Sequence, residues 1–300
     1  MRSKNTFNNV AVLKGGPSSE RSVSLKSGSA VAKGLRESGY SVSEIDVTER
    51  SVNLPAGIEA VFIALHGEFG EDGEVQRILE SRRIPYTGSG PKASAASFDK
   101  RIAKRILAEN KILTPEYEVL KRGMTPRIGL PAVVKPARQG SSIGVYRVFA
   151  EKDWKPALDG AFAYDDELIV EKYIKGRELT AGVVGKEVFP VVEIVAPDDW
   201  YNYDAKYTGG RTEYLVPAPV SVETAARCSA AAAGTFSALG CRGMGRVDFR
   251  LAEDGKAYVL ELNNIPGFTE TSLLPKAALA AGITFARLCD RIMKSATLGG

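Results

Sequence analysis

No stretch of about eighteen consecutive apolar residues occurs in this 300-residue chain, so no segment is expected to cross a membrane. The opening residues, MRSKNTFNN, lack the apolar run of a secretory signal, and the expected location is the cytoplasm. Cysteine is scarce. Cys228, Cys241 and Cys289 are scattered, odd in number and without metal-ligand spacing, which argues for reduced packing thiols. The chain has one histidine, His66, and a lone histidine at a strand end is usually a packed or capping residue. Charge of one sign is also missing: 40 bases against 36 acids leave +4, mixed along the chain. A nucleic-acid binder would concentrate its positive charge, and no nucleic-acid partner is expected. The densest basic run, KRIAKR (Lys100 to Arg105), reads as a solvated helix face, with Lys100 the member that gains other support. Two glycine fingerprints are absent as well. Neither GxxxxGK[ST] nor GxGxxG occurs, which removes a P-loop and a nicotinamide oxidoreductase.

What is present is an ordinary globular composition, 44% hydrophobic and 25% charged, long enough for two or three subdomains. The first third alternates strand (Val10 to Leu13), helix (Val23 to Ser38), strand (Tyr40 to Val47), strand (Ala60 to Leu65) and helix (Glu74 to Ser81). That βαβ pattern predicts a parallel sheet with helices on its faces. The texture then changes. A basic helix (about Ser97 to Asn110) leads to short strands at Glu116 to Leu120 and Ala132 to Lys135. A helix (Asp153 to Phe162) and a strand (Leu168 to Lys172) follow. The remainder holds a strand-like run (Val188 to Val195), an aromatic loop (WYNYDAKYTGG), an alanine-rich helix (Val222 to Leu239), a hairpin and a last helix pair. The fold class is therefore α/β and α+β, with an N-terminal domain over residues 1–89, a central one over 90–178 and a C-terminal one over 179–300.

The hairpin, GRVDFRLAEDGKAYVLELNNIPG, is the most informative segment. Asp254-Gly255 between alternating runs predicts a two-residue turn. Counting outwards, Leu251 faces Tyr258, Phe249 faces Leu260, Asp248 faces Glu261 and Arg246 faces Asn263. Strand alternation puts Val247, Phe249, Leu251, Tyr258, Leu260 and Leu262 on one apolar face. The other face carries Arg246, Asp248, Glu261 and Asn263. Two carboxylates directly opposite one another repel. A divalent cation removes that conflict, and two carboxylates with an amide are hard oxygen ligands suited to magnesium.

A second segment, ARQGSSIG (Ala137 to Gly144), lies between VVK and VYRV. Gly140, Ser141, Ser142 and Gly144 leave backbone N–H groups free to approach an anion, and Lys135 ends the strand before it.

In chain order the sequence reads LHGEFGEDGEVQ, IPYTGSG, VVKPARQGSSIGV, VEKYIKGRE, YDAKY, GRVDF and ELNNIPGFTETSLLP. These blocks resemble the signatures of the D-alanine–D-alanine ligases of the ATP-grasp superfamily, over about Val10 to Leu288. The resemblance implies a three-domain ATP-grasp architecture, with ATP held between the antiparallel sheets of the second and third domains. It implies Lys100 and Lys135 on the phosphates with Ser142 also at the nucleotide, and Glu171, Lys172 and Glu178 at adenine and ribose. Lys206 would meet the transferred phosphate. Asp248, Glu261 and Asn263 would bind two Mg2+ (or Mn2+) ions. Glu20, in SSERSVS, would receive the ammonium of the first D-alanine. Arg246 and the backbone N–H of Gly267 would stabilise the oxyanion, and Ser141 and Tyr207 would support a closing loop. His66 and Ser272 would sit near the second D-alanine.

The implied partners are D-alanine and ATP, in a homodimer that needs no membrane, and the implied reaction passes through a D-alanyl phosphate to D-alanyl-D-alanine for peptidoglycan. Several positions depart from the family's common pattern: Asn264-Ile265 where Thr is common, Phe268 for Met, Ser22 for an acid, and TET before Ser272 where a His is found. The rivals are a relative that uses D-serine or D-lactate second, and a non-catalytic ATP-binding regulator. The regulator would lack at least one of Arg246, Asp248, Glu261 and Asn263, and all four are present.

Overall fold

The computed structural model describes residues 7–196 and 212–299. The four residues Val10 to Leu13 are wholly buried, which is what a central parallel strand with both faces covered requires. They lie in β1 (Asn9–Gly15), flanked in parallel by β2 (Ser41–Val47) and β3 (Ala60–Ile63). Helix α1 (Arg21–Glu37) packs on this sheet, and α2 (Glu74–Ser81) follows β3.

The rest of that core comes from the far end of the chain. Helix α8 (Phe285–Lys294) lies against α1, and Gly34 makes the approach possible: a Cβ there would come within 3.0 Å of the Cys289 Sγ. The Tyr40 hydroxyl donates to Asp290 Oδ1 at 2.9 Å, and Tyr86 bridges to Thr297. Leu288, Ile292 and Met293 therefore share one core with Val10 and Leu13.

The second sheet is antiparallel, in the order β4 (Tyr117–Lys121), β7 (Glu167–Lys172), β5 (Ala132–Pro136), β6 (Tyr146–Val148). Helix α5 (Trp154–Ala161) covers one face over Leu120, Val134 and Val170. The third sheet runs β11 (Glu213–Leu215), β10 (Val192–Val195), β8 (Gly176–Val184), β12 (Met244–Ala252), β13 (Ala257–Asn263), with β9 (Glu187–Val188) beside β8. Its core takes Cys228, Ala232 and Phe236 from α6 (Val222–Ala238). It also takes Ala103 and Leu107 from α4 (Lys100–Glu109). Strand β8 runs unbroken through residue 178, where the sequence pattern put a boundary.

Three local expectations need correction. The basic helix divides in two, α3 (Pro91–Phe98) and α4, because Asp99 is extended (φ −86°, ψ 104°) and caps α4 by accepting from the Arg101 N–H. The strand-like run from Val188 to Val195 breaks at Pro190, which has no N–H for a ladder, giving β9 and β10. The hairpin loop is one residue longer than a two-residue turn. Ala252 pairs with Lys256 (Ala252 N–H to Lys256 O, 2.9 Å), and Gly255 takes the left-handed φ of +78° that such a loop needs.

The extra residue is absorbed by a bulge. Phe249 faces Val259, not Leu260, and Arg250 faces Tyr258, yet beyond the bulge Asp248 faces Glu261 and Arg246 faces Asn263 as expected. Val259 thus takes the core place expected for Leu260, and Leu260 turns to the opposite face.

Candidate active site

Two adjoining hollows meet at the β12–β13 hairpin. One is a cleft between the second and third sheets, lined by Lys100, Lys135, Ser142, Glu171, Lys172, Glu178, Asp248, Leu260 and Glu261. The other is a larger cavity of about 440 Å³ beside the first sheet. Glu20, His66, Ser141, Arg246, Asn263, Gly267 and Ser272 line it. The hairpin walls both. The Asp248/Glu261 pair opens to the cleft, and the Arg246/Asn263 pair, two residues along the strand, opens to the cavity. Sequence counting placed these four side chains on one face, and they lie there. Lys206 and Tyr207 fall outside the described residues.

Asp248 is the most heavily engaged of the four. Its Oδ1 accepts from Arg246 Nε at 2.8 Å and from Thr180 Oγ1 at 2.6 Å. Its Oδ2 accepts from Arg246 Nη2 at 2.8 Å and from Asn263 Nδ2 at 3.0 Å. Across the strand, the Lys100 ammonium lies 3.5 Å from Glu261 Oε2 and donates to the Gln139 carbonyl at 2.5 Å. Two carboxylates and an amide oxygen on one strand face, with protein cations drawn to them, form a hard oxygen donor set of the kind magnesium or manganese takes.

Helix α4 places Lys100 on its first turn, at the cleft mouth. Lys135, at the end of β5, donates to Glu171 Oε1 at 2.6 Å. Burial pushes the Glu171 carboxyl up, but Lys104 and Lys135 outweigh it and hold it below the ordinary range. Glu178 Oε2 is 3.1 Å from Arg250. The KRIAKR run is only partly a solvated face. Arg105 pairs with Glu109 at the surface, Arg101 pairs with Asp99 and Glu167, and Lys104 is buried beneath the cleft.

The small-residue loop reaches across to the first sheet's α1. The Ser141 hydroxyl bonds Glu20 Oε1, and a Cβ on Gly140 would sit 2.9 Å from Glu20 Oε2. Ser141 and Ser142 both hold left-handed backbone (φ +52° and +60°), a conformation that costs an ordinary residue about 1–2 kcal/mol and is kept only where surroundings impose it.

His66 is buried, and its tautomer follows from its partners. Nδ1 is 3.0 Å from the Ile265 carbonyl, which can only accept, so Nδ1 carries the proton. Nε2 then accepts from the Ser27 hydroxyl at 3.0 Å, and Ser27 Oγ accepts the Phe268 N–H at 3.1 Å. The single histidine thus grips the 265–268 turn that presents Gly267 to the cavity. Ser272 caps the same turn by accepting the Thr269 N–H at 2.9 Å.

Sequence reasoning missed four contributors. Leu260 enters the cleft only because of the bulge. Glu71, within the quoted HGEFGEDG block, lines the cavity 3.6 Å from His66 Nδ1. Burial raises its carboxyl, the nearby Glu20 charge adds to this, and His66 opposes it. Ser27 lies seven residues, nearly two helical turns, beyond Glu20, and Lys104 lies four residues, one turn, beyond Lys100, and that spacing was the available signal.

Comparison with known proteins places the chain in a family. The family described as D-ala D-ala ligase C-terminus matches residues 105–294, and D-ala D-ala ligase N-terminus matches residues 48–89. The chain is 45% identical over 294 residues to a D-alanine–D-alanine ligase of Syntrophotalea carbinolica, covering 96% of each. It is 43% identical over 285 residues to one from Methylacidiphilum infernorum, covering 95% of this chain and 94% of that one. Among solved structures, a D-alanine–D-alanine ligase from Bacillus anthracis complexed with ATP superposes with a TM-score of 0.85 at 33% identity, covering 96% of this chain and 97% of that one. The VanG D-Ala:D-Ser ligase from Enterococcus faecalis does so with 0.85 at 29%, covering 96% and 98%. With matches of this extent on both sides of the β12–β13 hairpin, the chain belongs to the D-alanine–D-alanine ligase family.

Proposed function

We propose that this chain joins two D-alanines into D-alanyl-D-alanine at the expense of ATP, releasing ADP and phosphate, and so supplies a dipeptide for peptidoglycan. The observation that carries the reading is the shared wall. One strand pair, Asp248/Glu261, faces a cleft suited to a nucleotide, and the next pair, Arg246/Asn263, faces a cavity suited to small amino acids. A terminal phosphate over the first pair then lies beside a carboxylate held at the second.

In this reading Lys100, Lys135, Ser142 and Lys206 hold the phosphates, while Glu171, Lys172 and Glu178 hold adenine and ribose. Asp248, Glu261 and Asn263 hold two magnesium (or manganese) ions, which neutralise phosphate charge when bound. Glu20 takes the ammonium of the first D-alanine. The carboxylate oxygen of that D-alanine attacks the γ-phosphorus, the bond to ADP breaks, and D-alanyl phosphate forms. The amine of the second D-alanine, placed by His66 and Ser272, attacks the carbonyl carbon. Arg246 and the Gly267 N–H meet the oxyanion. Collapse expels phosphate, and the amine proton passes to solvent. An acyl phosphate hydrolyses in water, so the Ser141–Glu20 contact, with Tyr207, serves as a closure.

We take the three sheets as cores of three domains, and the protein as a cytoplasmic homodimer. No described helix is long and apolar enough to cross a membrane. The test is ADP release with ATP and magnesium, comparing D-alanine alone, L-alanine, and D-alanine paired with D-serine or D-lactate, with products weighed by mass spectrometry. Dipeptide from D-alanine alone is expected. Turnover only in a mixed pair would move the second substrate, and no turnover in any arm would refute the reading.

A further inference from the structure

Beneath the nucleotide cleft lie three charges that water barely reaches. Lys104 is 1% exposed, Glu171 3% and Lys135 6%. Glu171 stands between the two lysines. Its Oε1 accepts from Lys135 Nζ at 2.6 Å, and its Oε2 lies 2.7 Å from Lys104 Nζ. Oε2 receives no aligned hydrogen bond, so its neutralisation is electrostatic and depends on Lys104. The two lysines differ in access. Lys135 lines the cleft, whereas Lys104 sits behind it, enclosed by Glu171, the Tyr117 ring (5.4 Å from Nζ) and Thr114. Lys104 is also tethered. Its ammonium donates to Thr114 Oγ1 at 2.7 Å, and Thr114 donates to the Val259 carbonyl of β13 at 2.8 Å.

A buried carboxylate cannot remain ionised without a cation, and breaking such a pair by removing one partner is strongly unfavourable. Lys135 can therefore turn to a polyphosphate only if Glu171 keeps another cation. Lys104 is the cation that stays. Without it Glu171 would depend on Lys135 alone, and carboxylate and phosphate would compete for one ammonium.

We propose that Lys104 is a positioning residue that holds Glu171 and so releases Lys135 to the nucleotide's phosphates. The inference rests on the nucleotide reading of the cleft given above and deepens it. It assigns a role to a lysine that contacts no substrate, one helical turn beyond Lys100.

The test is calorimetric titration of magnesium ATP into the full chain, with KM and kcat measured in parallel. Wild type is titrated first. Absence of binding there would overturn the nucleotide reading and this inference with it. In K104M the dissociation constant and the KM for ATP are expected to rise at least about tenfold, with kcat changed far less. Because Glu171 itself holds the nucleotide in this reading, E171Q alone is the reference for the second arm: with the competing charge gone, adding K104M to E171Q is expected to weaken ATP binding by less than about threefold. A purely structural role predicts the same loss, about tenfold, in both backgrounds. That result, or unchanged ATP affinity in K104M, would overturn the proposal. Should K104M fail to fold, T114V decides, because it removes the tether and keeps the charge. A KM for ATP raised about two- to threefold with kcat unchanged supports the proposal, and an unchanged KM overturns it.

Discussion

Arg246 grips Asp248 through two parallel hydrogen bonds, Nε to Oδ1 and Nη2 to Oδ2, each 2.8 Å. The residues are two apart on β12, so both point to the same side and the fork closes along the strand. Only a planar guanidinium makes this pair of bonds. Arg246→Lys should therefore lower kcat by roughly 10²-fold, on the scale of a lost oxyanion donor. It should also shift the magnesium dependence, since the carboxylate that Arg246 orients belongs to the donor set. Steady-state kinetics across a magnesium series would show both effects. A reduced kcat with an unmoved magnesium curve would separate Arg246 from the metal site.

Glu261→Gln should abolish nearly all turnover while leaving the melting temperature close to wild type. The side chain faces the cleft, and the amide keeps its volume while removing its charge. ADP release and thermal melting measured on one preparation check this. Turnover near the wild-type level would refute the metal assignment.

The bulge in β13 makes a prediction about neighbours. Val259 is fully buried among Val247, Phe249 and Leu262, whereas Leu260 lines the cleft. Val259→Ala should cost about 2 kcal/mol of stability. Leu260→Ala should cost less than about 1 kcal/mol yet weaken ATP binding. Denaturant melts and ATP titrations of the two variants would show opposite orders. If Leu260→Ala proves the more destabilising, the bulge is misplaced.

The Lys104 ammonium titrates at about 8, pushed down from 10.5 chiefly by burial, with Lys135 adding repulsion and Glu171 and Glu261 pulling the other way. Between those two values the unfolded chain keeps a proton that the folded chain has released, so this group's contribution to stability rises with pH across the window. In the same window Glu171 is left with Lys135 alone, so ATP binding weakens. From about pH 7.5 to 9.5 the melting temperature of wild type should therefore gain on that of K104M while wild-type ATP affinity falls. Parallel curves with constant affinity would contradict this.

Much of the site was legible because it is written in local periodicity. Asp248, Glu261, Arg246 and Asn263 share a face by strand alternation, and the count succeeded for an instructive reason. A loop one residue longer than assumed was offset by a bulge one residue deep, so the error was confined to Phe249 through Leu260. Lys104 was passed over because a charged residue in a basic helix is ordinarily solvated, and only the seating of α4 between the second and third sheets buries it. The placement of α8 was not legible at all. Amphipathic spacing shows that a helix has an apolar side, but not that its partner lies some 250 residues earlier.

That last pairing bears on how the protein is made. The first sheet emerges early from the ribosome, but Leu288, Ile292 and Met293 must appear before one flank of it is sealed. The cavity wall at His66 waits likewise for Ile265, 199 positions later. Contacts of such span close slowly, and surface left open meanwhile is prone to aggregation. The first sheet, synthesised before α8, is thus completed only after it, and nascent chains stalled before α8 should need chaperone protection that chains extending past it do not.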